Sequence, residues 1–223
     1  MRSPGYAEFY NAEFTIAEGL ALQLAALNAT DKLGAVRALY PAADHPDVLP
    51  GQPGWATAAL TDMLVTCPTH WFSRHAAAAK LPTWRYLFSR ECNLLNQTVQ
   101  KDLGLVGAYH TLELHYVFDI WFDYVGNIYD VLPGDKAVRD AVQEYWRSIA
   151  YTGVPSSKSF SAWPTVAKGS MLNFAADGSG EVMDSDAFRH DKCALFEGIY
   201  SDAFGNQGGV VRVGGPSGLR AGW

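Results

Sequence analysis

Apolar positions along the first third of the chain are spaced for helices. Thr15-Ile16-Ala17-Glu18 reads as a capping box, in which a hydroxyl and a carboxylate satisfy free N–H groups at a helix start. The apolar run behind it predicts a helix through about Leu27. Leu33, Val36, Ala38 and Leu39 predict a short second helix after Asp31 that stops at Pro41. Residues 41–53, PAADHPDVLPGQP, contain four prolines and predict a loop. Helical spacing resumes from Trp55 to Val65 and again, after Pro68, from about His70 to Ala79. The pattern then changes. Thr83–Phe88 follows Pro82, is short and aromatic, and predicts a strand, with a loop over 89–106. Asp135 is placed to cap a helix from Lys136 to about Tyr151, with Val138, Val142, Tyr145, Trp146 and Ile149 as its apolar face and Gly153 and Pro155 ending it. Met171–Ala175 predict a second strand and Ala187–Tyr200 a last helix. From Ser201 the chain is glycine-rich and predicts a flexible tail. Many helices thus surround few strands, and the pattern identifies no neighbour for Thr83–Phe88.

A chain of 223 residues suits one domain or part of a larger one. Hydrophobic residues make up 48% and aromatics 13%, a composition that builds cores. The net charge is −6, from 17 basic and 23 acidic residues, and no stripe of Lys and Arg matches a phosphate backbone, so nucleic-acid binding is not expected. No apolar run approaches the roughly 18 residues of a membrane span. The first residues, MRSPGYAEFYNAEF, carry no apolar stretch of the signal-peptide kind. Cys67, Cys92 and Cys193 lack CxxC spacing, which argues against a cysteine-based zinc site but leaves room for one disulfide and one free thiol. Asn28-Ala29-Thr30 and Asn96-Gln97-Thr98 are glycosylation sequons.

One histidine stands where chemistry could use it. In GAYHTLELHYVFD, residues 107–119, His110 follows a Gly-Ala-Tyr turn and precedes Leu112, Leu114, Tyr116 and Phe118. Metal ligation is the weakest reading. The pairs His110/His115 and His70/His75 are five apart, which separates the rings by about 140° on a helix and puts them on opposite faces of a strand. Neither pair matches HExxH, so no metal is expected. A loop histidine after an aromatic strand suits a general base in an α/β-hydrolase. On spacing alone the plainer reading, a hydrogen-bond donor in a turn, is preferred.

From about Thr61 to Tyr200 the chain resembles the C-terminal part of type-B carboxylesterases, the family that includes the cholinesterases. The motifs that carry the resemblance occur in the family's order. They are Val65-Thr66-Cys67-Pro68, Trp84-Arg85-Tyr86-Leu87-Phe88, Gly107 to Phe118 (the family's G-x-x-H-x-x-E-L-x-[YF]-V-F), Tyr145-Trp146 with Ala150 to Pro155, Trp163-Pro164, and Lys192 to Phe196. Ile149 stands where the family usually has Phe. The resemblance implies an α/β fold, the helix-rich, strand-poor C-terminal part of an α/β-hydrolase, over residues 1–200, followed by the tail over 201–223. It implies that His110 is the histidine of a Ser-His-Glu triad and that Glu113 is a carboxylate beside it rather than the triad acid. For the acid, Asn11-Ala12-Glu13 keeps part of the family's N-x-D-E-G and Ala17-Glu18-Gly19 another part. Glu13 is preferred, because Glu18 already serves the capping box; Glu18 is the alternative. The resemblance also implies a Cys67–Cys193 disulfide, worth about 5 kcal/mol in the chain-entropy model. Such a bridge, with possible glycans on Asn28 and Asn96, implies a secreted or extracellular product; Cys92 reads as a buried free thiol.

The family's nucleophile lies in G-x-S-x-G, on a sharp strand-to-helix turn. This sequence has no such motif: Gly215-Pro216-Ser217-Gly218 comes nearest and has its second glycine one residue early. Nor does a glycine-rich oxyanion segment occur. The expectation is therefore part of a serine carboxylic-ester hydrolase, acting on a small-molecule ester without a cofactor once an N-terminal part supplies the serine, and inactive and poorly soluble by itself. Trp121, Phe122 and Tyr124 are read first as core residues and second as pocket lining. The alternative is a non-catalytic, cholinesterase-like module that binds a protein, or a truncated relic.

Overall fold

The computed structural model describes residues 16–47, 53–91, 93–94, 107–121, 129–130 and 133–205. Helix α1 (Ile16–Ala26) buries Leu20 and Leu24, one turn apart. A 3-10 turn at Thr30–Lys32 leads into α2 (Leu33–Leu39), which buries Val36 and is followed by buried Tyr40. Thr15 of the expected capping box lies outside the described residues, while Glu18 lies in the first turn of α1.

Helix α3 (Gly54–Thr61) passes through a π-helical segment, Asp62–Thr66, directly into α4 (Cys67–Ala78). The expected interruption at Pro68 is absent. Proline lacks an N–H and its ring presses on the carbonyl four residues back. Here Pro68 falls in the first turn of α4, just after a widened turn that gives the ring room. Met63 and Cys67 from this rod join Leu20, Leu24, Val36 and Tyr40 in one core, which Phe196 and Ile199 of the last helix close. Within it Cys67 and Cys193 are joined by a disulfide. Buried Asp62 accepts a hydrogen bond from the Tyr40 hydroxyl at 2.9 Å and pairs with Arg189 at 3.6 Å, so its charge is met from two sides.

The second core forms around a small sheet. β1 (Tyr86–Phe88) is followed by β2 (Asn93–Leu94), α5 (Glu113–Phe118), β3 (Tyr129–Asp130), α6 (Pro133–Thr152), β4 (Ser170–Phe174) and β5 (Gly180–Asp184). Strand order is β1-β4-β5, with β1 parallel and β5 antiparallel to β4; β2 and β3 pair separately. The neighbour that the sequence could not supply for Thr83–Phe88 is β4, in register Tyr86↔Leu172 and Phe88↔Phe174, and the strand itself is confined to Tyr86–Phe88. A parallel partner is reached only by a crossover, and α5 and α6 lie in that connection. β5 escaped prediction because Val182 and Met183 are adjacent and point to opposite faces, leaving no alternation to read.

Leu172 and Phe174 on one face of β4 pack with Trp163, with Leu112 and Tyr116 beside and within α5, and with Val138, Ala141, Val142 and Tyr145 of α6. Those α6 positions are three, four and seven apart, one helical stripe; Ile149 continues that stripe, four beyond Tyr145, but is 38% exposed and is not part of the buried core. Helix α6 starts at Pro133, so Asp135 lies inside its first turn and is not the cap. It ends as expected, with Gly153 at φ +75° returning its N–H to Ile149 O at 2.8 Å. The last helix, α7 (His190–Phe204), begins three residues later than expected, after a left-handed Arg189. It also runs on through Phe204, so the first residues of the expected tail are helical; residues 206–223 lie outside the described residues.

Candidate active site

His110 is exposed in a turn closed by the Leu112 N–H to Tyr109 O at 3.1 Å. The residue after it, Thr111, has φ +72°. A β-branched residue in the left-handed region is a steric outlier that costs on the order of 1–3 kcal/mol and persists only where its surroundings hold it. Those surroundings are the two apolar anchors behind it. Leu112 and Tyr116, four apart and both 0% exposed, fix one face of α5 in the core, while Leu114 and Phe118 stay exposed. The helix stops at Asp119, also left-handed at φ +56°. An exposed imidazole is thus carried on a short, strained, firmly anchored turn.

The anchor is itself tied down by a charge. Asp135, fully buried at the start of α6, accepts hydrogen bonds from Arg90 Nε at 2.7 Å and from the Tyr116 hydroxyl at 3.0 Å. Arg90 also donates to the carbonyl of Ala176. Burial lowers the Arg90 pKa, and the hydrogen bond and charge of Asp135 outweigh that and leave it raised. Arg90 follows β1, Tyr116 belongs to α5 and Asp135 to α6, so one buried carboxylate joins the three elements around the histidine turn. Sequence reasoning missed this role. Asp135 stood where a helix cap belongs, and no spacing rule relates it to a residue 45 positions earlier.

Glu113 is half-buried in the first turn of α5. The Tyr86 hydroxyl is pushed above the usual phenol value by burial and, second, by the Glu113 charge. His110 and Glu113 therefore share one turn. Glu18 is exposed on α1, whose buried face belongs to the other core. Glu13, Asn96, Cys92, Phe122 and Tyr124 lie outside the described residues. Trp121 packs its ring on Tyr116 at 5.0 Å and donates Nε1–H to Asp119 at 2.6 Å, which is core packing.

Two other histidines have partners of their own. His115 Nδ1 lies 2.6 Å from Ile120 O; a carbonyl only accepts, so that nitrogen carries the proton. Its Nε2 is 3.5 Å from the Tyr109 hydroxyl. Buried His70 accepts at Nδ1 from Arg85 at 2.8 Å, and its pKa is lowered by burial first and by Arg85 second, so it is neutral. Arg85 also reaches Ser185 Oγ at 3.2 Å, linking α4, β1 and the approach to α7. Among the described residues no three His, Cys, Asp or Glu side chains are close enough to share a metal ion.

The family model for the carboxylesterase family matches residues 51–194. The chain belongs to the carboxylesterase family. Among solved structures it is similar to Aspergillus niger EstA at 16% identity and a TM-score of 0.64, over 84% of this chain and 36% of that one. The described residues thus form part of an α/β-hydrolase fold, and the chain spans 36% of the length of the solved structure it matches. No curated protein matches it. Within this carboxylesterase chain the family motifs fall on structural positions as well as on the histidine turn. Trp163 donates Nε1–H to Arg85 O at 2.9 Å, and the Trp146 ring packs against it, tilted, at 5.8 Å. Tyr145, whose pKa burial pushes up to about 12, donates to the Ser161 carbonyl.

Proposed function

We propose that this chain is the histidine-bearing portion of a serine carboxylic-ester hydrolase. The observation that carries the reading is the exposed His110 on a turn kept strained at Thr111 and anchored by Leu112 and Tyr116, in a chain that belongs to the carboxylesterase family. A surface histidine with no catalytic duty gives a protein no reason to hold a β-branched residue left-handed beside it. A serine from residues outside this sequence would lose its proton to His110 as it attacks the ester carbonyl. His110 would then return that proton to the departing alkoxide. A water, deprotonated by the same imidazole, would release the acid. Glu13 would accept the hydrogen bond that orients the ring and stabilises the imidazolium, with Glu18 the alternative. Glu113 would be a carboxylate beside the histidine rather than the triad acid. The substrate class is a small-molecule ester, and no cofactor takes part. Residues 1–200 would be the C-terminal portion of the carboxylesterase domain and 201–223 its glycine-rich tail, the first residues of which continue α7. The Cys67–Cys193 disulfide supports a product of the secretory pathway, as do the sequons at Asn28 and Asn96.

The test is labelling by a fluorophosphonate, which reacts with an activated serine. In the longest natural product that carries this chain together with a G-x-S-x-G serine, wild-type should label and His110→Gln should label about a thousandfold more slowly. Equal labelling of the two refutes His110 as the base. A second reading, a protein-binding module without catalysis, is favoured by one observation, the absence of G-x-S-x-G from this sequence. It becomes the function if the natural product has no such serine.

A further inference from the structure

We infer that Asn28 carries an N-linked oligosaccharide whose first sugar seats in the cavity between the α1–α2 turn and the end of α7. The inference rests on the secretory reading above and goes beyond it in assigning the acceptor and its seat. Helix α1 ends in a Schellman motif. Asn28 is left-handed at φ +54°, its N–H bonds Ala25 O at 3.0 Å, and the Ala29 N–H bonds Leu24 O at 2.8 Å. Ala29 and Leu24 are both buried, completing the apolar contact of that motif. The backbone at residue 28 is therefore fixed, in a conformation asparagine tolerates, while its side chain is exposed. Thr30, two residues on, is exposed as well, so the acceptor and the hydroxyl residue of the sequon both lie at the surface.

Beside it lies a cavity of about 370 Å³ whose lining includes Asn28, Leu27, Asp31, Lys32, Asp202 and Phe204. Phe204, 48% exposed at the end of α7, offers an aromatic face to the C–H face of a pyranose, backed by Tyr200 stacked at 6.2 Å. Lys32 bonds Asp31 at 3.0 Å and feels the charge of Asp202, so hydroxyl and acetamide groups would meet both donors and acceptors there. The group comes from a polyprenyl-diphosphate oligosaccharide supplied by the host. Asn28 Nδ2 forms a bond to sugar C1 and gives up one proton, and the C1–O bond to the diphosphate breaks as the lipid diphosphate leaves.

The experiment uses the longest natural product that carries this chain, secreted from a eukaryotic host and trimmed with endoglycosidase H to a single N-acetylglucosamine at each site. Peptide mass spectrometry should find that sugar on Asn28. Amide exchange over residues 199–204 should be about fivefold slower than in Thr30→Ala, which leaves Asn28 unmodified. Asn28→Gly keeps the left-handed cap and serves as a second sugar-free reference, and Phe204→Ala should erase the difference. Sugar on Asn28 with equal exchange in Thr30→Ala overturns the seat. An unmodified Asn28 beside a glycosylated Asn96 overturns the inference while leaving the secretory reading intact. Neither sequon modified, with Cys67 and Cys193 as free thiols, overturns both.

Discussion

Replacing Asp135 with asparagine removes one charge from a contact that water cannot reach. The Asp135 side chain is 0% exposed and that of Arg90 is 11% exposed, so the guanidinium left behind has little solvent to take over. Removing one partner of a buried pair costs about 3–5 kcal/mol. The asparagine oxygen can still accept from Arg90 or Tyr116 as a neutral acceptor, which places Asp135→Asn near the lower end, about 3 kcal/mol or roughly a hundredfold in the folding equilibrium. Arg90→Met combined with Asp135→Leu removes both charges, and its cost should fall well short of the sum of the single variants. Urea unfolding of wild-type, Asp135→Asn, Asp135→Leu, Arg90→Met and the double variant, followed by circular dichroism at low and at high salt, measures both. A solvent-shielded pair should keep its coupling in high salt. A loss below about 1 kcal/mol for Asp135→Asn, or strict additivity in the double variant, would refute the claim that this carboxylate anchors α5 behind the histidine turn.

Breaking the disulfide with Cys67→Ala and Cys193→Ala, which frees a link across 126 positions, should cost about 5 kcal/mol in urea unfolding; a loss under about 1 kcal/mol would contradict the entropic estimate. His70 is held below its ordinary pKa, so the unfolded chain binds its proton at a higher pH than the folded one. Its contribution to stability is complete above about pH 6.5 and is lost as pH falls through the folded value. His70→Gln should flatten that decline, with lowered His45 supplying the remainder, and an unchanged pH profile would count against the assignment. Thr111→Gly relieves about 1–3 kcal/mol of backbone strain and adds about 0.5–1 kcal/mol of unfolded-chain entropy, so calorimetry should find it neutral to stabilising. Clear destabilisation would mean that Thr111 is not strained. The purified chain alone should not turn over a p-nitrophenyl ester, and measurable turnover abolished by His110→Gln would show that it holds a nucleophile of its own.

Local chemistry was legible in the sequence, and long-range pairing was not. The helix spacing of residues 16–39, the proline-rich loop after it, the apolar stripe on α6 and its glycine stop are written in side chains a few positions apart, where periodicity and turn residues act directly. His110 was visible for the same reason, as a histidine between a turn and an apolar run. The tertiary structure alone decided that Tyr86–Phe88 pairs with Ser170–Phe174, because a parallel partner is separated by its crossover and leaves no mark in either strand. It alone turned Asp135 from an apparent cap into the anchor between Arg90 and Tyr116. It also carried one helical rod past Pro68, since a π-turn depends on the packing around it and not on a residue pattern. Sequence set which segments could be helix, strand or turn; burial, which brings distant charges and strand edges together, set which of them support the histidine.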